Sequence, residues 1–160
     1  MKTPTRITAK REVNVVSSLL VPLQNKNLLV PNVMIAEVVG MQHLQPIGSA
    51  PPWALGNVEW RGELIPVISF EIANSQVRGR DTSSARLAIF NTIGNRTRYH
   101  FFAVLVQGIP RMMKLTDMEV REDVQASVGE AEKMAVITQL GKAVIPNLDY
   151  LDQDIVGKDG

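Results

Sequence analysis

The chain has 160 residues, a net charge of +1 and no cysteine. Its apolar fraction of 45% and charged fraction of 21% are typical of a folded globular protein. The lack of cysteine excludes thiol catalysis, zinc–thiolate sites and disulfides, and it suits a reducing compartment such as the cytoplasm. With 17 basic and 16 acidic residues, the chain also lacks the basic surplus expected of a nucleic-acid binder.

Residues 1–12 are polar and basic and are predicted to form a flexible tail. They lack the apolar core of a signal peptide. No apolar run approaches the roughly 20 residues of a membrane-spanning helix, so we expect a cytoplasmic protein with no direct membrane insertion.

From Val13 onward the pattern predicts short strands between turns. Residues 13–23 are rich in β-branched side chains, and the turn at 24–27 predicts that 28–30 pair back as a hairpin. The apolar run 33–40 is expected to begin as one helical turn and to end as a strand at Gly40.

A proline-rich segment leads into the next hairpin. Two adjacent prolines, Pro51 and Pro52, cannot lie in an interior strand, so this segment should cross the surface and bury Trp53. Residues 57–70 read as two strands joined by a tight turn at Arg61-Gly62. Pro66 in the second of them suggests a sheet edge or a bulge.

The polar stretch around 75–85 predicts a loop between two halves of similar plan. In the second half we expect strands at 86–93 and 99–109, a short helical turn at 115–119, and a last hairpin around Gly141, followed by a short helix or an extended tail at 146–151. These short strands predict an all-β fold of two small barrels, with lobe 1 at about 13–74, lobe 2 at about 86–152 and a tail at 153–160.

No catalytic or metal-binding pattern is present in the sequence, so we expect neither an enzyme nor a cofactor. The two histidines, His43 and His100, have no ligand-like spacing, and no nucleotide-binding or nucleophile motif occurs. Glu37 interrupts an apolar run, where a carboxylate needs a cationic partner, and Arg61 is the candidate. Trp53 is predicted to be a core residue, whereas for Trp60 core packing and partner anchoring are both open.

A longer motif carries a resemblance to a known family. Residues 35–39 match a V-x-E-I element, residues 51–53 a Pro-aromatic element, and residues 56–68 the pattern G-x-x-N-L-R-G followed by I-x-P-V-x-D-L. In this order and spacing the segment resembles the CheW family of chemotaxis coupling proteins, over about residues 13–152. The Pro-Pro-Trp and Trp-Arg-Gly elements are most similar to the ChpC and PilI adaptors of type IV pilus chemosensory systems.

The resemblance implies two SH3-like, five-stranded β-barrel lobes and a non-catalytic adaptor. Such an adaptor joins the cytoplasmic tip of a chemoreceptor to the regulatory domain of a CheA-type histidine kinase. It also implies that Glu37 and Arg61 pair across the first lobe near the partner surfaces, and that Leu87 and Gly108 occupy strand positions of the receptor groove. The remaining partner-binding positions that it implies are Ile35, Val39, Gly56, Trp60 and Gly62.

The chain departs from the family pattern at several positions. Glu59-Trp60 stands for Asn-Leu, Ser69 for an Asp after P-V-x, and Gln107 for the Asp of the family's V-D-x-V strand. We expect these changes to alter the polarity of the docking surface. Two other functions stay open: a small β-barrel nucleic-acid-binding module, suggested by Arg96, Arg98 and Tyr99, and a protein-interaction domain outside chemotaxis.

Overall fold

The computed structural model describes residues 16–49, 51–74, 84–91, 100–115 and 120–151. They form β-strands with a few short helical pieces. The strands are β1 (Val16–Pro22), β2 (Asn27–Pro31), β3 (Ile35–Gly40), β4 (Ala54–Trp60), β5 (Glu63–Ile68), β6 (Arg86–Asn91), β7 (Phe101–Val106), β8 (Arg111–Leu115), β9 (Arg121–Glu122), β10 (Glu132–Thr138) and β11 (Gly141–Pro146). A 3₁₀ turn (Asn32–Met34) precedes β3, helix α1 (Phe70–Ala73) follows β5, and a helical turn at 148–151 follows β11.

The strands make two sheets, in the orders β8-β1-β2-β11-β10-β9 and β3-β6-β7-β5-β4. The all-β prediction is confirmed, together with the hairpins at 24–27, 61–62 and 141. The barrels are not confirmed as closed, because neither sheet closes on itself through its strand pairs in the described ranges. The predicted strand at 99–109 ends at Val106, and Leu115 belongs to β8 rather than to a helical turn.

The two halves of the chain exchange their first hairpins. The β1–β2 hairpin joins β8, β10 and β11 of the second half, whereas the β6–β7 hairpin joins β3, β4 and β5 of the first. In each sheet a late strand runs parallel to the donated hairpin, with Val144 opposite Leu28 and Val67 opposite Ala103. The predicted division at residues 75–85 therefore does not coincide with the division between the sheets.

The exchanged strands are buried on both faces because each lies between two apolar clusters. In β6, Leu87 and Ile89 face the interior of the five-stranded sheet, and Ala88 and Phe90 face the core between the two sheets. Phe90 stacks there on Phe102, with ring centroids 5.4 Å apart. The six-stranded sheet has a smaller interior cluster of its own, which includes Leu20 and Leu29. The core between the sheets thus holds them together, while each sheet also has an interior cluster of its own.

The edges of the five-stranded sheet are β3 and β4, which follow each other along the chain. The segment that leaves β3 returns to β4 through an isolated antiparallel bridge, in which Gln45 and Asn57 exchange two backbone hydrogen bonds of 2.8 Å. The register of β3 on β6 shifts between Ile35 and Glu37, which marks a bulge. Bulges bend an edge strand and redirect its side chains, and this one lies at Glu37.

A buried polar network joins the two sheets next to their shared core. The Glu132 carboxylate, with a side chain only 1% exposed, accepts from Lys26 Nζ at 2.5 Å, Asn74 Nδ2 at 2.9 Å and the Gly129 backbone N–H at 2.9 Å. Asn74 in turn accepts from the Ala131 backbone N–H. The network thereby links the β1–β2 turn, the end of α1 and the start of β10. Glu132 is the common acceptor for Lys26, Asn74 and the Gly129 backbone N–H, so this carboxylate fixes the three segments relative to one another.

We expect Glu132→Gln to lower the free energy of unfolding by about 2–3 kcal/mol, because the buried ion pair with Lys26 is lost and the amide N–H₂ must face a donor in either orientation, the Gly129 N–H or those of Lys26 and Asn74. Urea unfolding followed by circular dichroism measures this change. Glu122→Gln, which neutralises an exposed carboxylate on β9, is the control and should change stability by less than about 0.5 kcal/mol. Equal effects of the two variants would contradict the network's assigned role.

Candidate functional site

The β4–β5 turn places two residues in the left-handed backbone region. Arg61 has a φ of 51° and Gly62 a φ of 81°, and Trp60 lies opposite Glu63 in the flanking strands. Two-residue hairpins favour positive φ at both central positions, because that twist matches the twist of the strands. A non-glycine residue pays a conformational cost there. Arg61 is therefore held at the tip of the hairpin despite its backbone preference.

Glu37, Trp60 and Arg61 meet at one end of the five-stranded sheet, and we call these three residues the Glu37 site. Glu37 Oε1 accepts from Trp60 Nε1 at 2.9 Å and from Arg61 Nη2 at 3.4 Å. The Arg61 guanidinium also lies 4.6 Å from the centroid of the Trp60 ring, a cation–π arrangement. Since Glu37 is on β3 and the other two are at the end of β4, these contacts link the two edges of the sheet.

The three residues differ sharply in exposure. Trp60 is 6% exposed and packs edge-to-face on Phe101, with ring centroids 4.7 Å apart. The side chains of Glu37 and Arg61 are 42% and 68% exposed. An ion pair this exposed contributes little to stability. Trp60 is thus the rigid floor of the site, and Glu37 and Arg61 form its accessible surface.

Three other predicted residues lie on the same two strands, β3 and β4. Ile35 packs partly against the core between the sheets, and Val39 packs partly against the interior cluster of the five-stranded sheet. Gly56 is buried with a φ of 154°, and a Cβ at this position would lie 2.7 Å from the Gln45 carbonyl oxygen. Gly56 therefore permits the backbone bridge between Gln45 and Asn57.

The two second-half residues lie in different surroundings. Leu87 is 0% exposed inside the five-stranded sheet, so its side chain cannot meet a partner without a rearrangement. It pairs with Val39 and belongs to the same buried cluster as Trp60, so it supports the Glu37 site from the interior. Gly108 lies in a bend after β7 rather than in a strand, and a Cβ there would only contact Pro22 at 3.4 Å.

Two features of the site were missed from the sequence. The hydrogen bond from Trp60 to Glu37 was not predicted, although a buried indole N–H usually needs an acceptor. Phe101, which supports the Trp60 ring, was not singled out. Next to the turn, Glu63 Oε1 lies 3.4 Å from Nδ1 of His100, the residue that precedes β7. Glu63 and His100 are 37 positions apart, and Trp60 and Phe101 are 41 apart. A local sequence pattern cannot predict contacts between residues so far apart.

The described residues show no arrangement typical of other functions. No three His, Asp or Glu side chains among them lie close enough together to hold a metal ion. None of the helices in the described ranges has the length and apolar character needed to cross a bilayer. The described aromatic side chains are buried or half-buried, which leaves no exposed aromatic surface there for stacking bases. Arg96, Arg98 and Tyr99 lie outside the described residues.

Comparison with known proteins identifies the family. The model of the CheW-like domain matches residues 17–153, which is most of the chain. The chain belongs to the CheW-like domain family. The fold agrees: the crystal structure of the scaffolding protein TtCheW from Thermoanaerobacter tengcongensis matches with a TM-score of 0.70 at 16% identity, over 83% of this chain and 89% of that one. No curated protein has a sequence that matches this chain. The likeness to that scaffolding protein shows the fold of this chain.

Two departures from the CheW pattern differ in burial. Ser69 is fully buried, and its hydroxyl accepts from the Ile72 backbone N–H at 3.2 Å as the N-cap of α1. The expectation that Ser69 changes surface polarity is therefore wrong. Gln107 is half-buried beside Ser84, and its Nε2 has no hydrogen-bond partner within the described ranges.

We expect Gly56→Ala to destabilise the protein by about 1–3 kcal/mol, because the new methyl group would collide with the Gln45 carbonyl oxygen and break the bridge to β4. Thermal unfolding measures the loss. Gly40→Ala is the matched control on β3, since nothing lies within 4 Å of a Cβ there. Similar melting temperatures for the two variants would show that the bridge is not rigid in solution.

Proposed function

We propose that this CheW-like chain couples the cytoplasmic tip of a chemoreceptor to the regulatory domain of a CheA-type histidine kinase in the cytoplasm. The observation that carries the proposal is the match of the CheW-like domain over residues 17–153, on a chain whose described residues present no catalytic cluster. In this proposal the partners contact the end of the five-stranded sheet, around Ile35, Glu37, Val39, Arg61 and Gly62. Gly56 and Trp60 support that surface from below.

The geometry of this surface supports binding rather than chemistry. Its exposed groups are a carboxylate and a guanidinium above a buried aromatic ring. Charged groups around an apolar centre are typical of the rim of protein interfaces. Contacts of this kind are weak singly and gain effective affinity when receptors and kinases are clustered in arrays.

We further propose that the chain is a ChpC- or PilI-like adaptor, serving a system that controls type IV pilus twitching motility. The support is the similarity of Pro51-Pro52-Trp53 and Trp60-Arg61-Gly62 to those adaptors. Co-purification from the source organism tests this proposal. A kinase encoded with pilus genes should be recovered with the chain, and recovery of only a flagellar kinase would contradict the subtype.

We expect Arg61→Ala to weaken binding to the kinase regulatory domain or to a receptor fragment by about threefold to tenfold, because the variant loses a charged contact at the rim and leaves Glu37 with a single donor. Pull-down with purified partners at low and high salt measures the change. Arg121→Ala, which removes an exposed arginine from β9 on the other sheet, should bind as the unmodified chain does. A folded Arg61→Ala variant with full binding and full kinase coupling would contradict the role of Arg61. Binding of neither partner by the unmodified chain would contradict the adaptor function itself.

A further inference from the structure

Both described donors to Glu37 converge on one of its two carboxylate oxygens. Trp60 Nε1 at 2.9 Å and Arg61 Nη2 at 3.4 Å both reach Oε1. Oε2 accepts no hydrogen bond from the residues that the structure describes, and the side chain is 42% exposed. A carboxylate has about four acceptor positions. The oxygen that remains accessible can therefore take a further donor from outside the chain.

The two donors do not hold the carboxylate equally. The Trp60 ring is 6% exposed and wedged against Phe101, so its N–H has a fixed position and makes the shorter contact. The Arg61 side chain is 68% exposed and makes the longer contact. Holding a flexible side chain before binding lowers the ordering cost that the partner must otherwise offset. Trp60 is the residue in a position to do so.

The charge of Glu37 favours a cation on the partner. Glu59 is exposed on β4, and Glu63 is partly exposed next to the turn, where it contacts His100. Glu59 directly precedes Trp60 in β4, so its side chain lies on the opposite face of the strand from the Trp60 ring. The Glu37 carboxylate itself, with an acceptor position still open, attracts a Lys or Arg side chain and repels an acidic one.

We propose that Trp60 is a positioning residue that fixes Glu37 through Oε1 and thereby presents Oε2 to a Lys or Arg side chain of the partner protein. This inference rests on the proposed adaptor function for its partner, but the positioning itself is a property of the free chain. Trp60 stands where the family motif has Leu, which has no N–H to donate. The indole N–H is therefore the group that fixes this docking carboxylate in place.

The positioning is tested first in the free protein. The Trp60 indole N–H should exchange slowly with solvent by NMR, and Glu37→Ala should accelerate that exchange, because the acceptor is lost. Circular dichroism establishes that the variant is folded. Unchanged indole exchange in a folded Glu37→Ala variant overturns the proposal, whatever the chain binds.

Binding to the kinase regulatory domain and to the receptor fragment is then measured for charge-matched variants. Glu37→Gln should weaken the affinity by about tenfold and reduce its salt dependence, since a charged hydrogen bond is replaced by an amide donor facing a cation. Glu59→Gln removes the same charge without removing the positioned oxygen, and it should cost less than about threefold. Equal losses of affinity for the two variants would show that binding depends only on the overall negative charge, and this would overturn the proposal.

Trp60→Phe removes the indole N–H and keeps an aromatic ring beneath Arg61, but it also removes the volume of the pyrrole ring from a buried position. Circular dichroism therefore establishes first that the variant is folded. The substitution should weaken binding about twofold to fivefold in the unmodified chain, and it should have no further effect in Glu37→Gln. If Arg61→Ala costs more than Glu37→Gln, Arg61 is the contact and Glu37 only its counter-ion, which overturns the proposal and leaves the adaptor function intact. If the indole exchange behaves as expected but the unmodified chain binds neither partner, the adaptor function is contradicted. The proposed contact between Glu37 and a cation of the partner is then contradicted as well.

Discussion

The exchange of the β1–β2 and β6–β7 hairpins is the constraint on which the rest of the structure depends. Each donated hairpin is buried on both faces. If it paired within its own half of the chain instead, one of its apolar faces would need another apolar surface to cover it. Phe90, Phe102 and Val104 face the core between the sheets, while their neighbours Ile89 and Ala103 fill the five-stranded sheet. The two sheets therefore cannot be separated without exposing strands that are apolar on both sides. Removal of a buried Phe typically costs about 3–5 kcal/mol, so this shared core sets the cooperativity of the fold.

The exchange also explains where the polar groups lie. Crossing between sheets brings three chain segments to one place beside the core, and their backbone donors must be satisfied there. Glu132 accepts from Lys26, Asn74 and the Gly129 backbone, and Glu71 accepts from the Gln24 backbone N–H in the same region. These groups are buried and serve the fold. The Glu37 site is different, because its carboxylate and its guanidinium are exposed to solvent.

The sequence predicted the hairpins because their signals are local. Turn residues and alternating apolar positions identify β1–β2, β4–β5 and β10–β11, and the positive φ required at Arg61-Gly62 follows from the glycine. The exchange left no such signal, since it depends on pairings between residues about 90 positions apart, such as Leu19 with Met112. β8 was missed for a related reason: Arg-Met-Met-Lys-Leu has no β-branched residue, and pairing with β1 makes it a strand.

The site was predictable to a similar extent. A carboxylate that interrupts an apolar run needs a donor, which was enough to connect Glu37 with Arg61. The sequence did not show which strand face each residue occupies, so Leu87 and Ser69 were assigned to a surface although the structure buries both. The role of Trp60 was open between core and interface. In the structure its ring is core, and its N–H donates to the exposed Glu37 carboxylate.

The exposed residues of the Glu37 site lie at the sheet edges, whereas the contacts that stabilise the fold lie mainly between the inner strands. The edges β3 and β4 are joined by the Gln45–Asn57 bridge and by side chains of the Glu37 site, whereas the inner strands β6 and β7 are held by apolar contacts on both faces. A change at residues 37, 60 or 61 therefore alters the donors and acceptors at the sheet edge while the two-sided burial of the inner strands is retained. Leu in place of Trp at position 60 would keep an apolar side chain there and lose the N–H donor that fixes the Glu37 carboxylate. A fold arranged in this way can acquire new partner preferences through exposed residues such as Glu37 and Arg61, because their ion pair contributes little to stability.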